Sequence, residues 1–304
     1  MTNISTYFKL KTKQDKLPFV DVVLDDDNLL FVDPRHIENS SVRDDEQVKD
    51  CLYKFFGNLV ASIAASNHRR TSELLNGVEE PKETRLGYGE DNSNGKSAGP
   101  QIKKELIDSI ANNPVIKANK VSNLSDISFF IPNVGIDRIS DITTKVIKQF
   151  LIEFTQKQCR SLAIPMKKVM QKNILNPATL GWENRSLELP VFNDGGIDKP
   201  IIFVPKHFVS RDTDANSNFN CFFRFARNYI LEKGNRKFIK GIPRNGKNNT
   251  ILKKDFDESL GAKKDELTKW LLEHPDIVHD YWLDSIDKIT PLSDDEISEV
   301  VYRK

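Results

Sequence analysis

Residues 135–159 read GIDRISDITTKVIKQFLIEFTQKQC. Ile142, Val146, Ile147, Phe150, Leu151 and Phe154 recur at helical spacing, so the stretch predicts one long helix with a buried face. The apolar run Ile127 to Ile131 predicts a strand leading into it. Between them lies a turn carrying Asp137, Arg138 and Asp141, with the helix expected to start at Ser140 or Asp141. A serine or aspartate there is ordinary capping, worth about 1 kcal/mol. Capping accounts for Ser140 or Asp141 without any function, but not for Asp137 beside Arg138. A strand-to-helix junction is a common place for sites. Two carboxylates there suit a shared divalent cation.

Towards the N-terminus, Phe19–Leu24 and Leu29–Val32 flank the acidic turn 25–27 and predict a hairpin. Asp33-Pro34 ends it, and turn chemistry explains Asp33 better than metal ligation does. Residues 46–76 predict helix, with a wide stripe from Val48 through Cys51, Leu52, Phe55, Phe56, Leu59 and Val60 to Ile63. Asn67 or Thr71 would start its last part. Residues 79–100 hold four glycines and two prolines, which predicts a loop. Gly89 to Ser97 imitates a phosphate-binding loop, but five residues separate Gly89 from Gly95 where that motif needs four. Glu90 and Asp91 would also repel phosphate, so the segment reads as a surface loop, with a lid or clamp as its functional reading. Residues 101–112 predict a short helix ended by Pro114.

Towards the C-terminus, residues 166–184 are polar and basic and carry Trp182 without a clear element. Leu187–Val191 and Ile201–Val204 predict two strands around Asn193-Asp194-Gly195-Gly196. That hairpin would set Glu188 on one strand and Lys206 just past the other. A strand-end lysine can steady a transition-state phosphate or simply snorkel. Residues 219–232 predict helix. Residues 233–254 then hold eight basic residues and no acid. Arg236, Lys237, Lys240, Arg244 and Lys247 are therefore candidates for nucleic-acid backbone contact; the plain alternative is a solvated surface. Small helices follow, the last opened by a capping box at Ser293–Glu296.

With 38% hydrophobic and 29% charged residues, the composition is that of a water-soluble globular chain. No apolar run approaches the roughly 20 residues of a membrane span, and the start, MTNISTYFKLKTKQ, lacks a signal-peptide core. Three scattered cysteines, Cys51, Cys159 and Cys221, suit reduced thiols in the cytoplasm and exclude a CxxC zinc site. Cys159 and Cys221 read as core residues rather than nucleophiles, and no Ser-His-Asp or Cys-His set can be assembled. Forty-five basic residues balance 44 acidic ones, so any nucleic-acid surface must be local. The expected fold is α+β or α/β: a small mixed sheet with flanking helices in residues 1–232, then a basic and helical region, 233–304.

The motifs LFVDP (30–34), ETRLGYG (83–89), GIDRISDITT (135–144), FTQKQC (154–159), LELP (187–190) and IFVPK (202–206) resemble a group of uncharacterised bacterial proteins over roughly residues 17–240. A second resemblance is to restriction-endonuclease-like PD-(D/E)XK nucleases. It implies Asp137 or Asp141 as the first acid and Glu83 as a helical one. The Glu-x-Lys of those enzymes is missing, because Leu189 and Pro190 follow Glu188. The expectation is a Mg²⁺-dependent nuclease, with a role in bacterial antiviral defence. Asp137 and Asp141 would be metal ligands, Glu83 an auxiliary one, and Lys206 the phosphate contact. Arg138 and Gln156 would join the nucleic-acid-binding set. The rival expectation is a non-catalytic sensor or adaptor bound to a partner protein, in which Asp137, Arg138 and Asp141 only pin the helix.

Overall fold

The computed structural model describes residues 2–26, 28–87, 107–108, 111–117, 136–285 and 288–302, with backbone alone for 212–218. The strand expected at 127–131, the loop segment 89–97 and most of the helix expected at 101–112 lie outside them.

The fold is α+β. Strands β1 (Leu30–Val32), β2 (Lys167–Asn176), β3 (Gly181–Leu189), β4 (Val191–Asp194), β5 (Ile197–Pro200) and β6 (Val209–Arg211) form two-stranded antiparallel pairs: β1 with β6, β2 with β3, and β4 with β5. The expected mixed sheet is therefore corrected to small antiparallel ribbons among the described residues. The longer helices are α1 (Glu46–Ala64), α2 (His68–Leu75), α3 (Ile136–Val146), α4 (Lys148–Ser161), α5 (Asp212–Glu232), α6 (Lys253–Glu258), α7 (Lys263–Glu273), α8 (Asp276–Ser285) and α9 (Asp294–Val301).

Helix α1 buries the anticipated stripe, Val48 to Val60, and ends where Ser66 takes a left-handed φ of 54°. Asn67 then caps α2 through the Arg70 amide. The central helix differs from expectation. It begins at Ile136, breaks at Ile147 and resumes at Lys148. Ser140 and Asp141 are thus interior residues, not caps. Ser140 is buried, and its Oγ accepts the Val32 amide at 2.8 Å, tying α3 to the middle of the fold through β1.

The hairpin expected between 19–24 and 29–32 is replaced by long-range pairing. Val32 pairs with Val209, and the Val20 amide donates to Val204. Buried Asn28 fills the space between, its amide bonding the backbone of Val23 and the carbonyl of Arg85. The glycine turn is where it was expected, with φ of 57° at Gly195 and 92° at Gly196, the left-handed pair a tight hairpin needs. It joins β4 to β5, however. Residues 201–204 are buried without a strand partner among the described residues: Ile201, Ile202 and Phe203 donate to Pro190 O, Glu83 O and Thr155 Oγ1. The longest ribbon, β2–β3, occupies the stretch that showed no pattern. Lysines and a bulge at Asn173 (φ 53°) hide its alternation. Trp182 from β3 lies flat on Gly77, where a Cβ would come within 2.1 Å of the indole, and its Nε1 donates to Leu74 O.

One apolar cluster runs from Ile4 to Val301 and includes Trp270, Leu271, Ile277 and Ile297 of the C-terminal helices. Charged and polar bonds draw α9 onto it. Arg211 pairs with Glu296, and Lys206 with Asp294. Asp21, 1% exposed, accepts from Ser5 N, Ser5 Oγ, Asn3 Nδ2 and the Tyr302 hydroxyl. Among the described residues no helix is long and apolar enough to cross a membrane.

Candidate functional site: a carboxylate–lysine seam

Because α3 starts at Ile136, Asp137 and Asp141 stand one turn apart on one face. Lys145 continues that face, and Lys148 carries it past the break. Glu79, Glu80 and Glu83 come from the segment leading into and through the 3₁₀ turn Lys82–Thr84. The Glu83 carbonyl accepts the Ile202 amide, which fixes that turn against the core.

The two lysines are 2% exposed, so each charge needs a partner close by. Lys148 Nζ donates to Glu83 Oε1 at 2.6 Å and to Lys172 O at 3.2 Å. Lys145 Nζ donates to Glu79 Oε1 at 3.4 Å, and Asn173 Nδ2 donates to the same oxygen at 2.6 Å. Burial opposes ionisation of Glu83, but the charge and hydrogen bond of Lys148, with Lys145 behind it, hold its carboxyl below the usual range. Burial also pulls Lys148 down, against the pull of Glu83.

The acidic end is shifted the other way. Burial first, then the charges of Asp137 and Glu80, push the Asp141 carboxyl from 3.8 up to about 8, and Lys145 offsets only part of this. The neutral acid form of Asp141 is therefore favoured well above the usual carboxylate range. Gly87 passes close to Asp137. Its φ is +95°, and a Cβ there would lie 3.0 Å from Asp137 Oδ1. Strong perturbation by burial and like charge is a common mark of a functional carboxylate, and it also occurs in structural networks.

Hard carboxylate oxygens suit Mg²⁺, which takes one or two of them and fills its shell with water or substrate oxygens. Asp137 and Asp141 meet that donor set. Among the described residues no group of three His, Cys, Asp or Glu side chains is arranged to share an ion. Glu83, the expected auxiliary ligand, has its Oε1 bound by Lys148 Nζ at 2.6 Å. Asp33 caps Pro34–Glu38, in keeping with its turn reading, and binds Arg35, whose charge and hydrogen bonds overcome burial and hold the carboxyl down to about 2.

The other sequence candidates lie apart from the seam's bonds. Lys206 Nζ binds Asp294 and the Gln14 carbonyl, joining the N-terminal loop to α9. Gln156 Nε2 donates to Glu188 O at 3.0 Å, and Glu188 is exposed. Arg138 is half-buried on α3. Arg236, Lys240 and Lys247 are exposed, Lys237 pairs with Glu273, and Arg244 Nη1 donates to Asn249 O. Sequence reasoning missed Lys145, Lys148, Glu79 and Glu80. The signal was the spacing 137, 141, 145 and 148, visible once the helix is begun at Ile136 rather than at Asp141.

A family model described as a domain of unknown function, DUF8370, matches residues 9–216, and the chain belongs to that family. The match bears out the resemblance to an uncharacterised family and carries nothing about restriction-endonuclease-like enzymes. No curated protein and no solved structure matches the chain.

Proposed function

We propose that this DUF8370 member is a divalent-metal-dependent nuclease, with Asp137 and Asp141 as the metal-holding pair. The carrying observation is the Asp141 carboxyl pushed up to about 8 by burial, Asp137 and Glu80. Burial is the larger cause of that shift, and its like-charge part favours a cation, because a bound divalent ion favours both ionised forms. A bound Mg²⁺ would supply an activated water and polarise a phosphoryl oxygen. On the protein side, Asp137 and Asp141 present oxygen donors from consecutive turns. Glu79 holds Lys145, whose charge acts on Asp141, so positive charge stands next to the place where a phosphate would come.

The test combines calorimetry with cleavage. Titrating Mg²⁺ into the full chain near neutral pH should release protons, seen as a heat that varies with buffer ionisation enthalpy. Labelled DNA and RNA should be cut with Mg²⁺ or Mn²⁺, and Asp141→Asn should abolish both signals while the protein stays folded. A folded protein that neither binds Mg²⁺ nor cuts any nucleic acid refutes the reading.

One observation favours a second reading, a non-catalytic adaptor. The buried Lys148–Glu83 and Lys145–Glu79 pairs pin α3 and α4 to the 79–83 segment whether or not any reaction occurs. Under that reading Asp141→Asn changes stability alone.

A further inference from the structure

A hollow of about 500 Å³ opens in the C-terminal helical region between α5, α6 and the start of α7. Asn220, Arg224 and Arg227 line it from α5, Asp257 from α6, and Lys263 from α7, with Phe223 as its apolar wall. Three cations and one carboxylate therefore face a single space. Arg227 Nη1 spends its charge on Asp257 at 2.7 Å. Its Nε is buried without a hydrogen-bond partner among the described residues. The other two cations have only neutral company. Arg224 Nη2 donates to the Cys221 thiol at 3.3 Å. Lys263 Nζ donates to the Asn220 side-chain oxygen at 3.3 Å and sits 5.2 Å from the centre of the Phe223 ring. Neither meets a carboxylate among the described residues, so the hollow carries two uncompensated positive charges.

The hollow also continues a basic surface. Asn245 Nδ2 donates to Asp255 of α6, which fastens the exposed segment bearing Lys240, Arg244 and Lys247 to the helix that forms one wall. Lys253 and Lys254 are exposed on that same helix. A polyanion lying along residues 240–254 would reach the hollow past three acids of α6, each with a partner: Asp255 accepts from Asn245, Asp257 pairs with Arg227, and Glu258 lies 3.7 Å from Lys254. All of this lies beyond residue 216, where the family match ends.

We propose that this hollow seats a backbone phosphate of a nucleic-acid strand, with Arg224 and Lys263 as its direct contacts and residues 240–254 as the track leading to it. Arginine suits forked recognition of phosphate oxygens, and lysine adds a point charge. The site deepens the nuclease reading by giving that activity a substrate anchor outside the family segment. Its own test is binding, which does not depend on cleavage.

The probe is a fluorescein-labelled oligo-dT strand titrated with the full chain in EDTA, followed by polarisation at several salt concentrations. Arg224→Glu/Lys263→Glu should weaken binding about tenfold or more and lower the salt slope by about 1.4, two single-strand phosphate contacts. Arg224→Ala alone should move both quantities the same way by about half, and keeps the test decisive if the double variant does not fold. Lys54→Glu/Lys168→Glu, an equal change of charge on exposed lysines of the family segment, should have a clearly smaller effect. Equal losses in the two double variants, an unchanged slope in Arg224→Ala, or no binding of DNA or RNA by wild type at low salt overturns the proposal. Binding of an acidic peptide in place of either nucleic acid does so as well. If strands bind as expected but are never cut, the anchor stands and the nuclease reading fails.

Discussion

Asp141→Asn should stabilise the protein in mild alkali and leave it little changed near pH 4. The unfolded carboxyl titrates near 3.8 and the folded one near 8. Between those values the unfolded chain has released a proton that the folded chain keeps. Unfolding is then coupled to proton release, so stability falls as pH rises through the window. At about 1.4 kcal/mol per tenfold difference, the gap from 3.8 to about 8 sets a ceiling of ~6 kcal/mol. Asp141 is only half-buried, and water screening with local relaxation reduces the realised penalty to about 2 kcal/mol. Asparagine keeps the shape and cannot ionise. In a chain of this size, ~2 kcal/mol corresponds to a rise in Tm of about 4 °C near pH 9, with little difference near pH 4, where the window has barely opened. Scanning calorimetry in EDTA at both pH values reads this directly. The same Tm difference at both pH values, or a variant less stable than wild type near pH 9, refutes the electrostatic account of the seam. The design separates charge from shape: a carboxylate serving only as a hydrogen-bond partner would be missed at either pH.

Two other substitutions probe the surroundings. Glu83→Gln removes the partner of a lysine that is 2% exposed. It should cost about 3 kcal/mol in denaturant unfolding near pH 7, the usual result of orphaning a buried charge. Because the Glu83 carboxyl is held below its usual range, that contribution is present at neutral pH and fades as pH drops below the ordinary glutamate range; an unchanged midpoint near pH 7 contradicts the pairing. Gly77→Ala puts a methyl group where the Trp182 ring lies, so the indole must leave and its bond to Leu74 O is lost. The expected cost is about 2–3 kcal/mol with red-shifted tryptophan emission, and wild-type emission with wild-type stability excludes this packing.

Much of the helical framework was readable because it follows one local rule. The stripe of α1, the pivot at Asn67, the turn at Gly195-Gly196 and the capping box at Ser293 depend on residues within a few positions of one another. The failures share a different cause. Phe19–Leu24 has strand-like composition, yet its backbone bonds go to Val204 and to a side chain, Asn28, partners that no local pattern announces. The β2–β3 ribbon carries lysines on its exposed face and a bulge in the middle, so its alternation is blurred. At the site, Asp137 and Asp141 were found as a chemically odd pair, but the helix start was placed at Ser140 or Asp141, about one turn too late. That error turned Asp141 into a cap and hid the lysines that share its face. A turn-rich approach and a helix interior look alike in sequence when the deciding contact, Val32 N to Ser140 Oγ, spans 108 positions.

The bonds of Asp21 bear on how this protein can be cut. The family match begins after Ser5 and Asn3 and ends well before Tyr302. A fragment trimmed to those limits would keep a carboxylate that is 1% exposed and take away the amide, the hydroxyl groups and the side-chain amide that solvate it. It would also split α5 and uncover the surfaces that Trp270, Ile277 and Ile297 cover. The stretch that recurs among relatives is therefore shorter than the unit that folds here. In this chain the outlying residues supply the solvent for an interior charge.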